Sequence, residues 1–247
     1  MPFLYLSPST QEYNPYRTAG TEEYWMNRLA DEMLPWLSAG GVNVTRSSPD
    51  GSAAKSIAES NLGAYGFHLA LHSNAAPEAL AGKLRGVDLY YHPASDLGLR
   101  MALILADNLA AVYPDPALVR ALPTTLLGEV RRTRAPSVLC ELGYHDNPDD
   151  ESWLTGNLGE IAATVVKAVT EYFGVPFLRP AGEQAARVRL SFGALNLREL
   201  PDTGAAVLRQ LPNGEEVALL GQYDDWRTVR CRDGLLGFAR ARYLQLS

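Results

Sequence analysis

Residues 67–74 read Phe-His-Leu-Ala-Leu-His-Ser-Asn. An apolar run, Phe67 to Leu71, closes on a histidine and opens into the polar stretch Ser73-Asn74-Ala75-Ala76, the pattern of a buried strand that ends at a loop. Toward the N-terminus, Ala53 to Leu62 reads as a helix, Val42 to Thr45 as a strand and Phe3 to Leu6 as another. Between these two strands, Glu22 to Leu37 places Trp25, Met26, Leu29, Met33 and Leu37 at three- and four-residue spacing, with Thr21 as N-cap and Gly40-Gly41 as stop. Toward the C-terminus, Val87 to Tyr91 reads as a strand, Leu97 to Val112 as a helix stopped by Pro114 and Pro116, Ser137 to Leu142 as a strand and Leu158 to Phe173 as a closing helix. This alternation implies an α/β unit, a mostly parallel twisted sheet flanked by helices on both faces. In such sheets functional residues gather at the carboxyl ends of the strands.

The rhythm changes after Phe173. Residues 174–186 carry two prolines and two glycines and read as a linker. Short β-type runs follow (Ala205 to Leu211, Glu216 to Leu220, Trp226 to Arg230, Leu236 to Ala239), separated by the turn signals Pro201-Asp202, Asn213-Gly214 and Asp233-Gly234. A C-terminal small β-barrel is expected. The expected boundaries are 1–175 for the α/β domain, 176–186 for the linker and 187–247 for the barrel.

Apolar residues make up 47% of the 247, enough for a packed core. The 22 basic and 28 acidic residues leave a net charge of −6, which disfavours nucleic acid as partner. The charge is uneven: 13 basic and 20 acidic residues lie in 1–180, while the 9 basic residues beyond are all arginine, beside 8 acidic ones. No run approaches the roughly 18–20 apolar residues that span a bilayer, so no integral membrane segment is expected. Met1 to Ser9 lacks a basic, then apolar, leader pattern, so the chain is expected to be made in the cytoplasm without a secretory signal. Cys140 and Cys231 have no metal-type or disulfide-type spacing and read as small core residues.

Four histidines are present: His68, His72, His92 and His145. His72, at a strand end, is placed to offer a ring nitrogen to zinc, although a lone histidine there is more often structural. His68 lies four residues earlier, roughly 13 Å along a strand, too far to share one metal, and reads as structural. His92 and His145 follow strands and are open to surface or substrate roles. Glu141 closes the apolar strand Ser137-Val138-Leu139-Cys140-Glu141 and needs a cleft, a metal or an ion pair with Arg131, Arg132 or Arg134. Its neighbour Cys140 projects to the opposite sheet face. Glu22 and Glu23 open a helix, where the dipole alone favours acids.

Together, Thr21-Glu22-Glu23, Leu71-His72-Ser73-Asn74, Gly86-Val87-Asp88-Leu89-Tyr90-Tyr91, residues 134–144 from Arg134 to Tyr144, and Asp146-Asn147-Pro148 resemble the zinc-dependent N-acetylmuramoyl-L-alanine amidases of the type-3 family over about residues 2–173. The resemblance implies a peptidoglycan hydrolase that cleaves between N-acetylmuramic acid and L-alanine. It implies His72 and Glu22 (Glu23 the alternative) as zinc ligands and Glu141 as the catalytic residue. Asn74 and Arg131 are the expected substrate contacts. The family's first ligand, a histidine after strand one, is missing here. Ser7-Pro8-Ser9-Thr10-Gln11-Glu12 stands in its place, as in a phage-endolysin-like subgroup. Gln11 is the expected substitute, with water or Glu12 as alternatives. Zinc prefers nitrogen and sulfur, so a neutral amide oxygen binds it more weakly than imidazole.

Residues 187–247, through Leu195 to Pro201, Leu211 to Val217, Asp225-Trp226, Gly237-Phe238-Ala239 and Tyr243-Leu244, resemble a bacterial SH3 domain. That resemblance implies cell-wall peptides as ligand and action at the wall after release, with Trp226 and Tyr243 equally able to serve as core. Two other readings compete. One is a wall-binding protein with a decayed metal site. The other is a cysteine peptidase using Cys140, which the strand alternation disfavours.

Overall fold

A computed structural model describes residues 2–247. The chain divides into two compact units, Phe3–Met33 with Val44–Tyr172, and Leu34–Asn43 with Phe173–Ser247.

In the first unit six strands, β1 (Phe3–Pro8), β2 (Asn43–Arg46), β3 (Phe67–Asn74), β4 (Val87–Tyr91), β5 (Val119–Pro123) and β6 (Ser137–Tyr144), form a sheet in the order β2-β1-β3-β6-β4-β5. Its helices are most of α1 (Glu22–Ala39), then α2 (Ala53–Ser60), α3 (Asp96–Ala110), α4 (Gly128–Arg131) and α5 (Pro148–Gly156), and most of α6 (Leu158–Phe173), the C-terminal ends of α1 and α6 belonging to the other unit. The sheet is mostly parallel: β1 with β3, β3 with β6 and β4 with β5 run parallel, and only β4 against β6 is antiparallel among the registered pairs. Central strands covered on both faces read as continuous apolar runs, and β3 is buried from Phe67 to Ser73. Leu4, Leu6, Leu69, Leu71, Leu89 and Val138 form much of the interior.

Local chemistry sets the element ends. The backbone N–H of Tyr24 donates to Thr21 Oγ1 at 3.2 Å, the expected cap of α1. Gly41, at φ +75°, ends that helix in a conformation only glycine adopts freely. Three elements escape the sequence pattern. Strand β5 lies at the sheet edge, with Arg120 near its start and Pro123 at its end, so it shows no alternation. Helix α4 has four residues, too few for a period. Helix α5 starts from Asn147, whose side chain accepts from the N–H of Asp149 at 3.0 Å, with Pro148 next.

The second unit holds β7 (Gln184–Val188), β8 (Ala194–Arg198), β9 (Val207–Pro212), β10 (Glu216–Tyr223), β11 (Trp226–Arg230), β12 (Leu236–Arg240) and β13 (Leu244–Leu246). They pair in the order β13-β7-β10-β11-β12-β8-β9, antiparallel in every registered pair, as in a small SH3-like barrel. Strand β7 begins inside the stretch read as linker, because Gln184-Ala185-Ala186 has little apolar signal of its own. Val188, Leu197, Leu211, Val229 and Ala239 fill the interior.

Candidate active site

The ends of β3 and β6 bring the site together. His72 pairs in register with Glu141, Glu141 with Asp88 on β4, and Asp88 with Arg120 on β5. Residues directly paired across a sheet share a face, so these four side chains form one polar row across the sheet. Arg120 neutralises buried Asp88 at 2.7 Å. The next row back, Leu71, Cys140 and Leu89, faces the other way. Cys140 is fully buried, and burial, with a small contribution from Glu141, pushes its thiol pKa far up, so it is no nucleophile for this row.

Glu22 enters from the first turn of α1. Its Oε1 lies 2.8 Å from His72 Nδ1, and its Oε2 accepts from Asn14 Nδ2 at 2.8 Å. Glu22 is buried, whereas Glu23, one position on, is only partly covered and accepts from Asn27 Nδ2. Gln11 sits over the Glu22–His72 contact. Its amide nitrogen is 3.2 Å from Glu22 Oε1 and 3.4 Å from His72 Nδ1, while its oxygen accepts from Asn14 at 2.9 Å and Tyr13 at 3.1 Å. Glu12 is exposed. Gln11, Ser9, Thr10, Tyr13, His72 and Ser56 line a cavity of about 310 Å³.

The other ring nitrogen of His72 meets a residue that the sequence does not single out. Glu129, on α4, is buried and places Oε2 3.2 Å from His72 Nε2 and Oε1 3.1 Å from His68 Nε2. Ser7 Oγ donates to the same Oε1 at 2.5 Å, and His68 Nδ1 meets Ser60 Oγ at 2.9 Å. His68 and His72 are thus linked through one carboxylate despite their separation along β3. The one signal in the sequence is an acid between Gly128 and Val130 on the approach to β6, which an exposed loop explains as well.

Charges here are coupled. Burial alone would lower the His72 pKa, but the hydrogen bonds to Glu129 and Glu22 outweigh it and hold it well above its ordinary value. Burial would raise Glu129, yet the bonds from His68 and His72 bring it down to about 2. Glu22 is likewise lowered, its burial overcome by His72 and Asn14. Glu141 goes the other way. Burial pushes it up to about 7, opposed by His72 and assisted by Glu22 and Asp88. Its Oε2 is shielded and has no hydrogen-bond partner among the described residues.

Asn74, Arg131 and His145 are outside the hydrogen-bonded cluster of Glu22, His72 and Glu129. Asn74 ends β3, and its Oδ1 accepts from the N–H of Ala75. Arg131 is exposed and lines a separate hollow of about 230 Å³ with His92. His145 stacks on Tyr16 with ring centroids 4.9 Å apart, and both contact Ser73 Oγ, a brace behind the end of β3.

Both parts of the chain match families of known proteins. Residues 12–171 match the N-acetylmuramoyl-L-alanine amidase family, and residues 193–245 match the bacterial SH3 domain. No curated protein sequence matches the chain. Among solved structures, the fold resembles the N-acetylmuramoyl-L-alanine amidase AmiC2 of Nostoc punctiforme (14% identity, 70% of this chain and 97% of that chain, TM-score 0.61). It also resembles the catalytic domain of the CD27L endolysin targeting Clostridia difficile (19%, 69% and 98%, TM-score 0.57). A third likeness is the catalytic domain of CwlV, an amidase from Bacillus (Paenibacillus) polymyxa var. colistinus (16%, 71% and 100%, TM-score 0.61). At these identities the structural likeness establishes the fold, and the family match, over more than half the chain, establishes the activity. The chain belongs to the N-acetylmuramoyl-L-alanine amidase family and is a peptidoglycan hydrolase that carries a bacterial SH3 domain.

Proposed function

We propose that this amidase is zinc-dependent, with Glu22, His72 and Gln11 holding the metal and Glu141 as the catalytic carboxylate that serves cleavage between N-acetylmuramic acid and L-alanine. The observation that carries the reading is the Glu22–His72 contact lying one strand from the unpartnered, shielded Oε2 of Glu141. The family is generally zinc-dependent. The residues fit such an ion. An imidazole nitrogen and a carboxylate oxygen are zinc donors, and Glu22, Glu129 and Glu141 concentrate negative charge that a dication offsets. Among the described residues no three of His, Cys, Asp and Glu converge as a ligand set. Gln11 is assigned the third position on the resemblance, and its amide lying over the Glu22–His72 contact supports that assignment. Its oxygen faces Asn14 and Tyr13, and ligation needs the amide to turn over.

When bound, zinc supplies Lewis-acid polarisation of the scissile carbonyl and a more acidic water. The protein's own groups do the rest. Glu141 accepts a proton from the attacking water and delivers it to the leaving L-alanine nitrogen. A carboxyl raised toward neutrality by burial suits both halves of that transfer. Glu129 accepts the Nε2–H of His72, which keeps Nδ1 as the nitrogen turned toward Glu22. Asn74 and Arg131 are proposed to contact substrate outside this centre. The bacterial SH3 domain is proposed to hold the enzyme on the wall.

Metal analysis and muropeptide cleavage on one preparation, with and without chelator, test the reading. About one zinc per chain and chelator-sensitive release of L-alanine-headed stem peptides are expected. Glu141→Ala should keep zinc and lose activity by about 10²–10⁴-fold. His72→Ala should lose both. Full zinc occupancy in His72→Ala, or near-normal turnover in Glu141→Ala, removes the assignment.

A further inference from the structure

The second unit contains a cavity of about 540 Å³ bounded by the 190–193 loop, the start of β8, the end of β12 and the short turn 241–243. Four of the nine arginines beyond residue 180 line it, Arg189, Arg198, Arg240 and Arg242, and none of the eight acidic residues of that region does. The pairing of most of the other arginines makes this contrast informative. Arg187 and Arg232 pair with Glu216, Arg209 with Asp233 and Arg230 with Glu183. Of the cavity's arginines, Arg240 pairs with Asp225. Arg189 donates to the Gln245 amide oxygen and Arg198 to the Ala205 carbonyl, neutral groups that orient a guanidinium without cancelling its charge.

Aromatic rings hold two of these arginines in place. Arg240 lies over the Trp226 ring at 4.4 Å and Arg242 over the Tyr243 ring at 4.7 Å. Cation–π attraction to a ring restrains a guanidinium, and Arg240 is held further by Asp225. At the lip, Phe192 is 89% exposed on a loop beside Gly193, an apolar side chain that this unit's own core does not use.

We infer that this cavity is an anion-binding subsite for the free carboxylates of peptidoglycan stem peptides, with Arg189, Arg198 and Arg242 as the charged contacts and Phe192 covering the peptide's apolar side. Planar carboxylates match the guanidinium fork two oxygens to two N–H groups. The peptide is the same material the catalytic unit acts on, so binding here raises the local concentration of substrate. The inference deepens the wall-holding role proposed for the SH3 domain and does not depend on the zinc chemistry.

The test uses the full-length chain with three variants: Arg189→Glu/Arg242→Glu, Phe192→Ser, and Arg232→Glu as a control that makes a charge reversal outside the cavity. The probes are purified wall sacculi stripped of teichoic polymers, and L-alanine-headed stem peptides purified from digested walls. Wild-type protein should sediment with the stripped sacculi, and stem peptides should compete while inorganic phosphate at the same concentration should not. The double variant should lose retention at least tenfold and Phe192→Ser several-fold, with Arg232→Glu unchanged. Cleavage of small soluble muropeptides should remain within twofold in all three. Amidating the carboxylates of the stem peptides should abolish their competition. Wild-type retention by the folded double variant overturns the inference, as does retention that requires teichoic polymers or is released by phosphate. A wild-type protein that binds stripped walls through these arginines but cleaves nothing overturns the catalytic reading and leaves this one standing.

Discussion

At the scale of single residues, the site is organised by the two nitrogens of one ring. His72 turns Nδ1 to Glu22 and Nε2 to Glu129, so the orientation of the proposed ligand is set from both sides. Replacing Glu129 by leucine should leave His72 free to rotate and weaken zinc binding by about 10–100-fold, the usual effect of losing a ligand's outer partner. Glu129→Gln, which keeps an acceptor oxygen, should recover most of that loss. Chelator-competition titration reads both variants, and equal affinity in the leucine variant and wild type would remove the role. Gln11 can be judged by improvement as well as by loss. Gln11→His should tighten zinc binding and Gln11→Ala should loosen it, because imidazole is the better donor. If neither moves the affinity, Gln11 is not in the ligand set. His72 and Glu141 stand out in the sequence because each follows an apolar run, but their expected roles, and that of Glu22, come from the family resemblance. Glu129 does not stand out, because four residues of helix carry no pattern to break.

At the scale of elements, the end of β6 is bent beside Glu141. The register between β3 and β6 shifts between His72–Glu141 and Asn74–Tyr144, so an extra residue on β6 bulges out next to the proposed catalytic position. Gly143 carries that bulge at φ +91°, and a Cβ there would meet the Asp150 side chain at 3.3 Å. Asp150 is committed at this point. It accepts from the N–H of Tyr144 at 2.9 Å, the N–H of Gly86 at 3.0 Å and the Tyr113 hydroxyl at 2.5 Å, tying α5 to the ends of β4 and β6. Gly143→Ala should therefore destabilise by about 1–3 kcal/mol and lower kcat more than it changes zinc content. A denaturant melt with paired metal analysis checks both, and a wild-type midpoint would mean the bulge carries no strain against a side chain.

At the scale of the whole molecule, metal and stability are linked. If zinc binds the folded chain alone, free zinc at 100 times its dissociation constant adds about 2.7 kcal/mol. Chelator should then lower the Tm by several degrees in wild type and leave it unmoved in His72→Ala. A wild-type Tm indifferent to chelator would count against a bound metal. No helix among the described residues is long and apolar enough to cross a membrane, in line with the absence of a long apolar run in the sequence. By itself the sequence determined the order of most elements, the mostly parallel sheet and the barrel-like tail. Those features repeat at 2.0- and 3.6-residue periods or sit where a period stops, so they are written locally. Tertiary structure alone decided that Glu129 reaches His72 across 57 residues, that Ser7 reaches Glu129 across 122, and that Arg189, Arg198, Arg240 and Arg242 line one cavity with no acidic residue among its walls. Such contacts depend on where each packed sheet brings distant segments, and no local period records that.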